Sequence, residues 1–321
     1  MATPLLSVCM IVRNEAHCLR RCLDSVRPLG AELIVVDTGS TDVTPAIAVE
    51  YGAEVTTFDF SRPDFAAARN QSLARANGRW VLAIDADETL RPSSVPLVQS
   101  IAACSDNVAC RVRRYNHGTG LNPLVDEYIR LFPRRPEYRY SGRVHEGVNA
   151  SIPTGGGVIV RTDVCIDHDF ASDPKARRRK DLWYLRIIEE EAAADPNDLS
   201  RHIMLETACC NLGILDRAGA LADRIVRDWP MDPEAHYTAG MYYLMYGANP
   251  ARACSEFKTS LGLRPDDPTT AGFLQVAELS MALGVDVSIL RSAPTEAFGS
   301  TVSAADLMNV AGSMQGRTAR W

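Results

Sequence analysis

A chain of 321 residues exceeds what one small core holds, so two domains are expected, and 46% hydrophobic with 23% charged residues is an ordinary globular composition. A formal net charge of −6 argues against a nucleic-acid partner, which usually selects a basic protein. With no run of roughly 18 or more consecutive apolar residues and no basic-then-apolar start after Met1-Ala2-Thr3-Pro4, neither a transmembrane segment nor a secretion signal is expected.

The first hundred residues alternate strand and helix patterns in the manner of βαβ units. Leu6 to Val12 reads as a strand, Glu15 to Val26 as a helix, and Glu32 to Val36 as the second strand. A helix over Val43 to Tyr51 and a short strand around Ala53 to Phe58 follow. Phe65 to Ala76 is helical with Gly78 as its stop, and Trp80 to Ile84 is the fourth strand. From Val108 to Ile166 the pattern changes to short strands and Gly-rich turns, including Gly155-Gly156-Gly157. This stretch is expected to complete the same domain, 1–170, and to carry acceptor loops.

A helical domain is expected over 171–292. Lys175 to Ala194 contains no Gly or Pro and places Leu182, Leu185 and Ile188 at helical spacing. Gly213 and Gly247 then lie 34 residues apart, and the Asp-Pro pairs at 232–233 and 267–268 lie 35 apart. That period matches the helix-turn-helix unit of tetratricopeptide repeats, although the full consensus is absent. The tail, 293–321, is small and polar and is expected to be only partly ordered. The nine cysteines are an odd, scattered set without a C-x-x-C pair, which predicts reduced thiols in a cytoplasmic protein.

Two acidic turns close apolar strands. Leu33-Ile34-Val35-Val36 runs into Asp37-Thr38-Gly39-Ser40-Thr41-Asp42, and Trp80-Val81-Leu82-Ala83-Ile84 runs into Asp85-Ala86-Asp87-Glu88. Continuous apolar runs of this length read as buried parallel strands, whose carboxyl ends are where open α/β sheets bind ligands. Two carboxylates two residues apart at such an end suit a hard cation, Mg²⁺ or Mn²⁺, that shares its coordination with substrate phosphates. The pattern predicts a metal-assisted enzyme acting on a phosphorylated donor. Asp37-Thr38-Gly39 alone would also suit an aspartic protease, but that chemistry needs a second such carboxylate and no second Asp-Ser/Thr-Gly exists. Ser40 and Thr41 read as caps of the following helix, with Asp42 in its first turn.

Four motifs in order carry a resemblance. Ser7 to Glu15, Val35 to Asp42, Phe65-Ala66-Ala67-Ala68-Arg69-Asn70 and Ile84 to Glu88 resemble a family 2 glycosyltransferase of the GT-A fold, an α/β Rossmann-like mixed sheet, here followed by a helical-repeat domain. With the helices after it, the chain is similar to the subgroup that includes lipopolysaccharide-core glucosyltransferases and glycosyltransferases of bacteriocin peptides. The resemblance implies a UDP-sugar donor and a peptide Ser, Thr or Cys or a glycan as acceptor. It implies that Asp87 contacts the metal, that Asp85 faces the nucleotide sugar, and that Asp37 hydrogen-bonds the uracil ring. Val12, Asn14, Glu15 and Arg69 would also meet the nucleotide sugar, Arg69 as a cation near the diphosphate.

Direct attack by the acceptor needs a single general base. Within Tyr140-Ser141-Gly142-Arg143-Val144-His145-Glu146 the candidate is Glu146, although the wider family more usually shows a Glu-Asp pair there. GT-A enzymes often bring a late histidine to the metal, which marks His168 of Asp167-His168-Asp169. The basic run Lys175 to Lys180 reads first as a solvated helix face, and otherwise as an attractor of an anionic acceptor or lipid headgroup. A homodimer is expected to supply contacts that so few repeats lack. The competing classes are a nucleotidyltransferase, which would want a glycine-rich loop where Arg13-Asn14-Glu15 stands, and a non-catalytic repeat scaffold, which the intact acidic pair disfavours.

Overall fold

A computed structural model describes residues 4–104, 107–117, 124–169 and 174–284. The chain divides into two compact units, Met1–Asp173 and Pro174–Trp321.

The first unit runs β1 (Leu6–Val12), α1 (Leu19–Val26), β2 (Glu32–Asp37), α2 (Thr44–Glu50), β3 (Glu54–Thr57), α3 (Phe65–Arg75), β4 (Trp80–Ala83), β5 (Glu88–Leu90), α4 (Val95–Cys104), β6 (Val108–His117), β7 (Leu124–Pro133), α5 (Ser151–Thr154) and β8 (Val158–Asp169). One mixed eight-stranded sheet results, ordered β3-β2-β1-β4-β7-β6-β8-β5. Strands β3, β2, β1 and β4 are parallel, β7 is antiparallel to both β4 and β6, and β8 runs parallel to β6. The ends of β1, β2, β4, β6 and β8 therefore face one edge.

Both faces of the parallel half are covered, which is why its strands read as unbroken apolar runs. Val8, Met10, Val12, Trp80 and Leu82 join Leu19, Leu23 and Val98 in one core. The alternate residues Cys9, Val81 and Ala83 pack with Ala66, Leu73, Phe132 and Tyr138 on the other face. Three expectations change. Residues 15–18 form a turn rather than the first turn of α1, because Asn14 takes a left-handed φ of 57° and the Glu15 carbonyl accepts from the Cys18 and Leu19 amides. The stretch 108–166 holds three strands of ten, ten and twelve residues rather than short ones. Helix α4 has no counterpart in the sequence reading.

The second unit is all helical: α6 (Pro174–Ala194), α7 (Leu199–Leu212), α8 (Leu215–Asp228), α9 (Pro233–Met245), α10 (Pro250–Leu263) and α11 (Pro268–Leu283). The repeat is visible in its starts. Asp198, Asp232 and Asp267 each cap a helix by accepting from a backbone amide two residues on, at 2.9, 2.8 and 3.0 Å. His202 and His236 each bond back through Nε2 to the carbonyl of the proline six positions earlier, Pro196 and Pro230. Gly240 lets α9 and α10 close together, since a Cβ there would stand 2.5 Å from the Phe257 ring. Among the described residues no helix is long and apolar enough to cross a membrane. The expected tail lies outside the described residues.

Candidate active site

The carboxyl edge of the sheet collects the acidic turns. Asp85 stands just past β4 and is clamped between two arginines, accepting from Arg69 Nη2 at 2.7 Å and from Arg130 Nη2 at 2.7 Å. Arg69 lies on α3 and also donates from Nε to Glu146 Oε1 at 2.6 Å, so one guanidinium bridges two carboxylates. Arg130 lies on β7 and donates to Glu88 Oε1 at 2.9 Å. Burial pushes the Asp85 carboxyl up, but Arg130 and Arg69 more than offset this and hold it well below the usual carboxylate range. Burial raises Glu88, with the charge of Asp85 acting the same way against Arg130.

Glu146 is presented by a strained loop. Ser141 and Gly147 exchange both backbone hydrogen bonds, at 3.0 and 3.1 Å, and close residues 141–147 into a tight excursion. Inside it, Gly142 has a φ of 91° and His145 one of 52°, a conformation that a residue with a Cβ adopts at a cost. Helix α3 holds the loop. Asn70 bonds the Tyr140 backbone in both directions at 2.9 Å, and the Phe65 amide donates to the Arg143 carbonyl at 2.9 Å. A cavity of about 340 Å³ opens beside Arg69, Asp85, Tyr128, Arg130, Tyr140 and Glu146, within the usual size range of a small-molecule site.

Asp87 and His168 meet on the other side of the acidic turn. His168 Nε2 lies 3.2 Å from Asp87 Oδ2, and its Nδ1 lies 2.7 Å from Asn116 Oδ1. The β8 end is fastened there by the Asp169 amide, which donates to the Asp87 carbonyl at 3.3 Å, and by an Arg21–Asp169 ion pair. One carboxylate and one imidazole converging with an amide behind the ring fit a divalent cation that keeps its remaining positions for phosphate oxygens. Glu15, His17 and Cys18 also bring their ligand atoms within 4.8 Å of one another, but a thiol is a softer donor than Mg²⁺ or Mn²⁺ prefers. Burial raises the Cys18 thiol to about 12, helped by Glu15 and Asp87.

The nucleotide-side candidates sit at the ends of β1 and β2. Asp37 is buried, 5% exposed, and accepts from the Ser40 amide at 3.1 and 3.2 Å and from its hydroxyl. Asn14 stitches β1 to the same loop, accepting from the Thr41 amide at 2.7 Å while its own amide donates to Ser40 Oγ at 2.9 Å. Ser40 and Thr41 therefore do not cap α2. The N-cap position is Val43, whose side chain has no group to hydrogen-bond, and Asp42 just before it accepts from the Thr44 amide at 2.9 Å. The Glu15 amide donates to Thr44 Oγ1 at 2.8 Å, and Val12 is a buried residue at the β1 end whose carbonyl accepts from Thr38. The sheet thus places Val12, Asn14, Glu15 and Asp37 at one end of the edge and Arg69, Asp85 and Glu146 together. Asp87 and His168 form a third cluster.

Sequence reasoning passes over Arg130, Arg114, Asn116 and Asp126. They lie on β6 and β7, and only long-range strand register brings them to the acidic turn. Glu88 reads as part of that turn, yet it opens β5 and is fully buried. The available signal was its position three residues after Asp85, whose amide it accepts at 2.9 Å.

The glycosyl transferase family 2 model matches residues 7–168. Over 146 residues the chain is 44% identical to a TPR repeat-containing protein of Synechococcus elongatus, covering 46% of this chain and 36% of that protein. It is 29% identical over 158 residues to the SPbeta prophage-derived glycosyltransferase SunS of Bacillus subtilis, covering 47% and 37% respectively. It is 32% identical over 167 residues to the lipopolysaccharide core biosynthesis glycosyltransferase LpsC of Rhizobium meliloti, covering 49% and 60%. The match spans less than two thirds of each relative's length.

Proposed function

Since the chain belongs to glycosyl transferase family 2 and is a glycosyltransferase, we propose that it moves a hexose from a UDP-sugar onto a peptide Ser, Thr or Cys side chain, inverting the anomeric centre. One observation supports this above the others: Asp85 sits in the Arg69–Glu146 network while Asp87, two residues on, faces His168 Nε2 at 3.2 Å. On this reading the sugar side and the cation side lie within one turn. Asp87 and His168 would hold Mg²⁺ or Mn²⁺, which when bound supplies positive charge opposite the leaving nucleoside diphosphate.

The remaining chemistry falls to side chains. The acceptor oxygen or sulfur forms a bond to the anomeric carbon as the bond from that carbon to the phosphate oxygen breaks. Glu146 takes the acceptor proton, and a single displacement inverts the centre. Arg69 fixes Glu146 and Asp85 on either side of its guanidinium, so that base and sugar-facing acid keep a constant spacing. The helix pairs of the second unit suit an extended peptide, as repeat arrays present long concave surfaces. Nine free thiols favour the cytoplasm as the place of reaction.

Similarity to LpsC favours a second reading, in which the acceptor is a cell-envelope glycan. Hydrolysis of a panel of nucleotide sugars with and without Mn²⁺, followed by mass spectrometry of Ser-, Thr- and Cys-containing peptides and of truncated lipooligosaccharide, separates the two. Metal-stimulated release of UDP is expected, with a hexose mass on a peptide. A hexose on the lipooligosaccharide alone would replace the first reading by the second, and no turnover of any UDP-sugar would defeat both.

Asp37 is proposed to read the uracil. Asp37→Ala should weaken UDP binding by roughly 10-fold or more, the worth of a charge-assisted hydrogen bond, while slowing transfer from saturating donor much less. Calorimetry with UDP measures it, and an unchanged dissociation constant would leave Asp37 as a loop anchor for Ser40.

A further inference from the structure

The geometry points to Asn116, oriented by Asp126, as the residue that presents Nε2 of His168 to the cation, positioning the metal ligand without touching the metal. This deepens the metal reading above and rests on it.

Strand register makes the arrangement. Asn116 stands directly opposite His168 in the parallel β6–β8 pair, and Arg114 opposite Asp126 in the antiparallel β6–β7 pair. Asn116 and His168 are 5% and 9% exposed, so each polar atom between them needs a protein partner. Asn116 Nδ2 donates to Asp126 Oδ2 at 2.8 Å. A carboxylate only accepts, so the amide has one sensible orientation, with Oδ1 turned to His168 Nδ1 at 2.7 Å. An amide oxygen also only accepts, so Nδ1 must carry the hydrogen. With a cation bound, the lone pair of the ring would then be left at Nε2, the nitrogen that lies 3.2 Å from Asp87 Oδ2.

Asp126 is itself held. The same Oδ2 accepts from Arg114 Nη2 at 3.1 Å, and Arg114 reaches Glu88 at 3.4 Å. Glu88 shares Arg130 with Asp85. One run of charge-assisted contacts therefore joins the histidine on the cation side to the acid on the sugar side. Without Asn116 the ring loses the partner that selects its tautomer, and the alternative tautomer carries its hydrogen at Nε2, where it cannot ligate. Loss of such an outer partner typically weakens metal binding by about 10–100-fold.

The test measures Mn²⁺ binding to the full chain in the presence of UDP, by loss of the free-ion paramagnetic resonance signal, together with ¹⁵N-histidine NMR of the metal-free protein. Wild type should bind Mn²⁺ and show a His168 ring protonated at Nδ1. Asn116→Leu should bind Mn²⁺ roughly 10–100-fold more weakly and lose that ring signature, while melting close to wild type and keeping its metal-free affinity for UDP. Should Asn116→Leu fail to fold, Asp126→Ala removes the acceptor that orients the amide and should show the same changes to a smaller degree. If Asp87→Ala loses Mn²⁺ while both Asn116→Leu and Asp126→Ala bind it as wild type does, the positioning role falls and the metal reading stands. A wild-type protein that binds no Mn²⁺ with UDP overturns both.

Discussion

Asp87→Ala should lower transfer by roughly 10³-fold or more and leave the fold intact. A cation opposite a leaving diphosphate is worth several kcal/mol of transition-state stabilisation, and about 4 kcal/mol corresponds to three powers of ten. The structure separates this loss from instability. The Asp87 side chain is 42% exposed, and the backbone bond that ties β8 to the turn uses its carbonyl, which alanine keeps. Asp87→Asn, which retains one oxygen donor but no charge, should fall between the two. The measurement is transfer rate against Mn²⁺ concentration, with thermal melting as the control. Near wild-type transfer by Asp87→Ala at limiting Mn²⁺ would remove Asp87 from the metal assignment. His168→Ala should show a milder deficit, since the carboxylate supplies the charge and the imidazole only a donor pair.

The parts of this site that lie on parallel strands are legible from the chain because the signal is local. An apolar run such as Trp80 to Ile84 declares a strand buried on both faces, and the acids after it fall at the ligand edge by the geometry of βαβ units. Strand order and the right-handed crossover do the rest. The antiparallel half carries no comparable local mark. Arg130 stands between Ile129 and Leu131 on β7, and Arg114 follows Arg113 in a basic stretch of β6, much as solvent-facing arginines do. Only the register of β6 with both β7 and β8 reveals that Arg114 and Asn116 turn toward the acids. Helix α4 was illegible for a different reason. Val95-Pro96-Leu97-Val98 begins with a proline at its second position and a short apolar run, which fits a strand or a loop as well as a first helical turn. Asn14 and Ser40 show the converse. Asn14 reads as a strand-end residue and Ser40 as a helix cap, yet the two are engaged with each other's loops in a way that spacing does not specify.

Glu146→Gln should cut transfer to a hydroxyl acceptor by roughly 10²–10⁴-fold, the range for loss of a general base, with affinity for the UDP-sugar unchanged. The substitution suits the site because Arg69 Nε donates to Glu146 Oε1, and an amide oxygen in the same place accepts equally well. The loop has further anchors in the Ser141–Gly147 pair and the Asn70–Tyr140 bonds, so the side chain should stay where it is while losing its capacity to take a proton. Arg69 is left with Asp85 as its charged partner, which avoids the larger penalty of a buried guanidinium without any counter-charge. The size of the defect reports the acceptor as well as the base. A serine or threonine hydroxyl is a weak nucleophile until its proton is removed, so the full loss should appear there. A cysteine is already partly thiolate near neutral pH and intrinsically more nucleophilic, so the same variant should lose less on a cysteine peptide. Measured on matched peptides that differ only in Ser against Cys, the ratio of the two losses isolates proton transfer from any general weakening of acceptor binding, which would reduce both alike. Full activity of Glu146→Gln on the serine peptide would show that another group takes the proton.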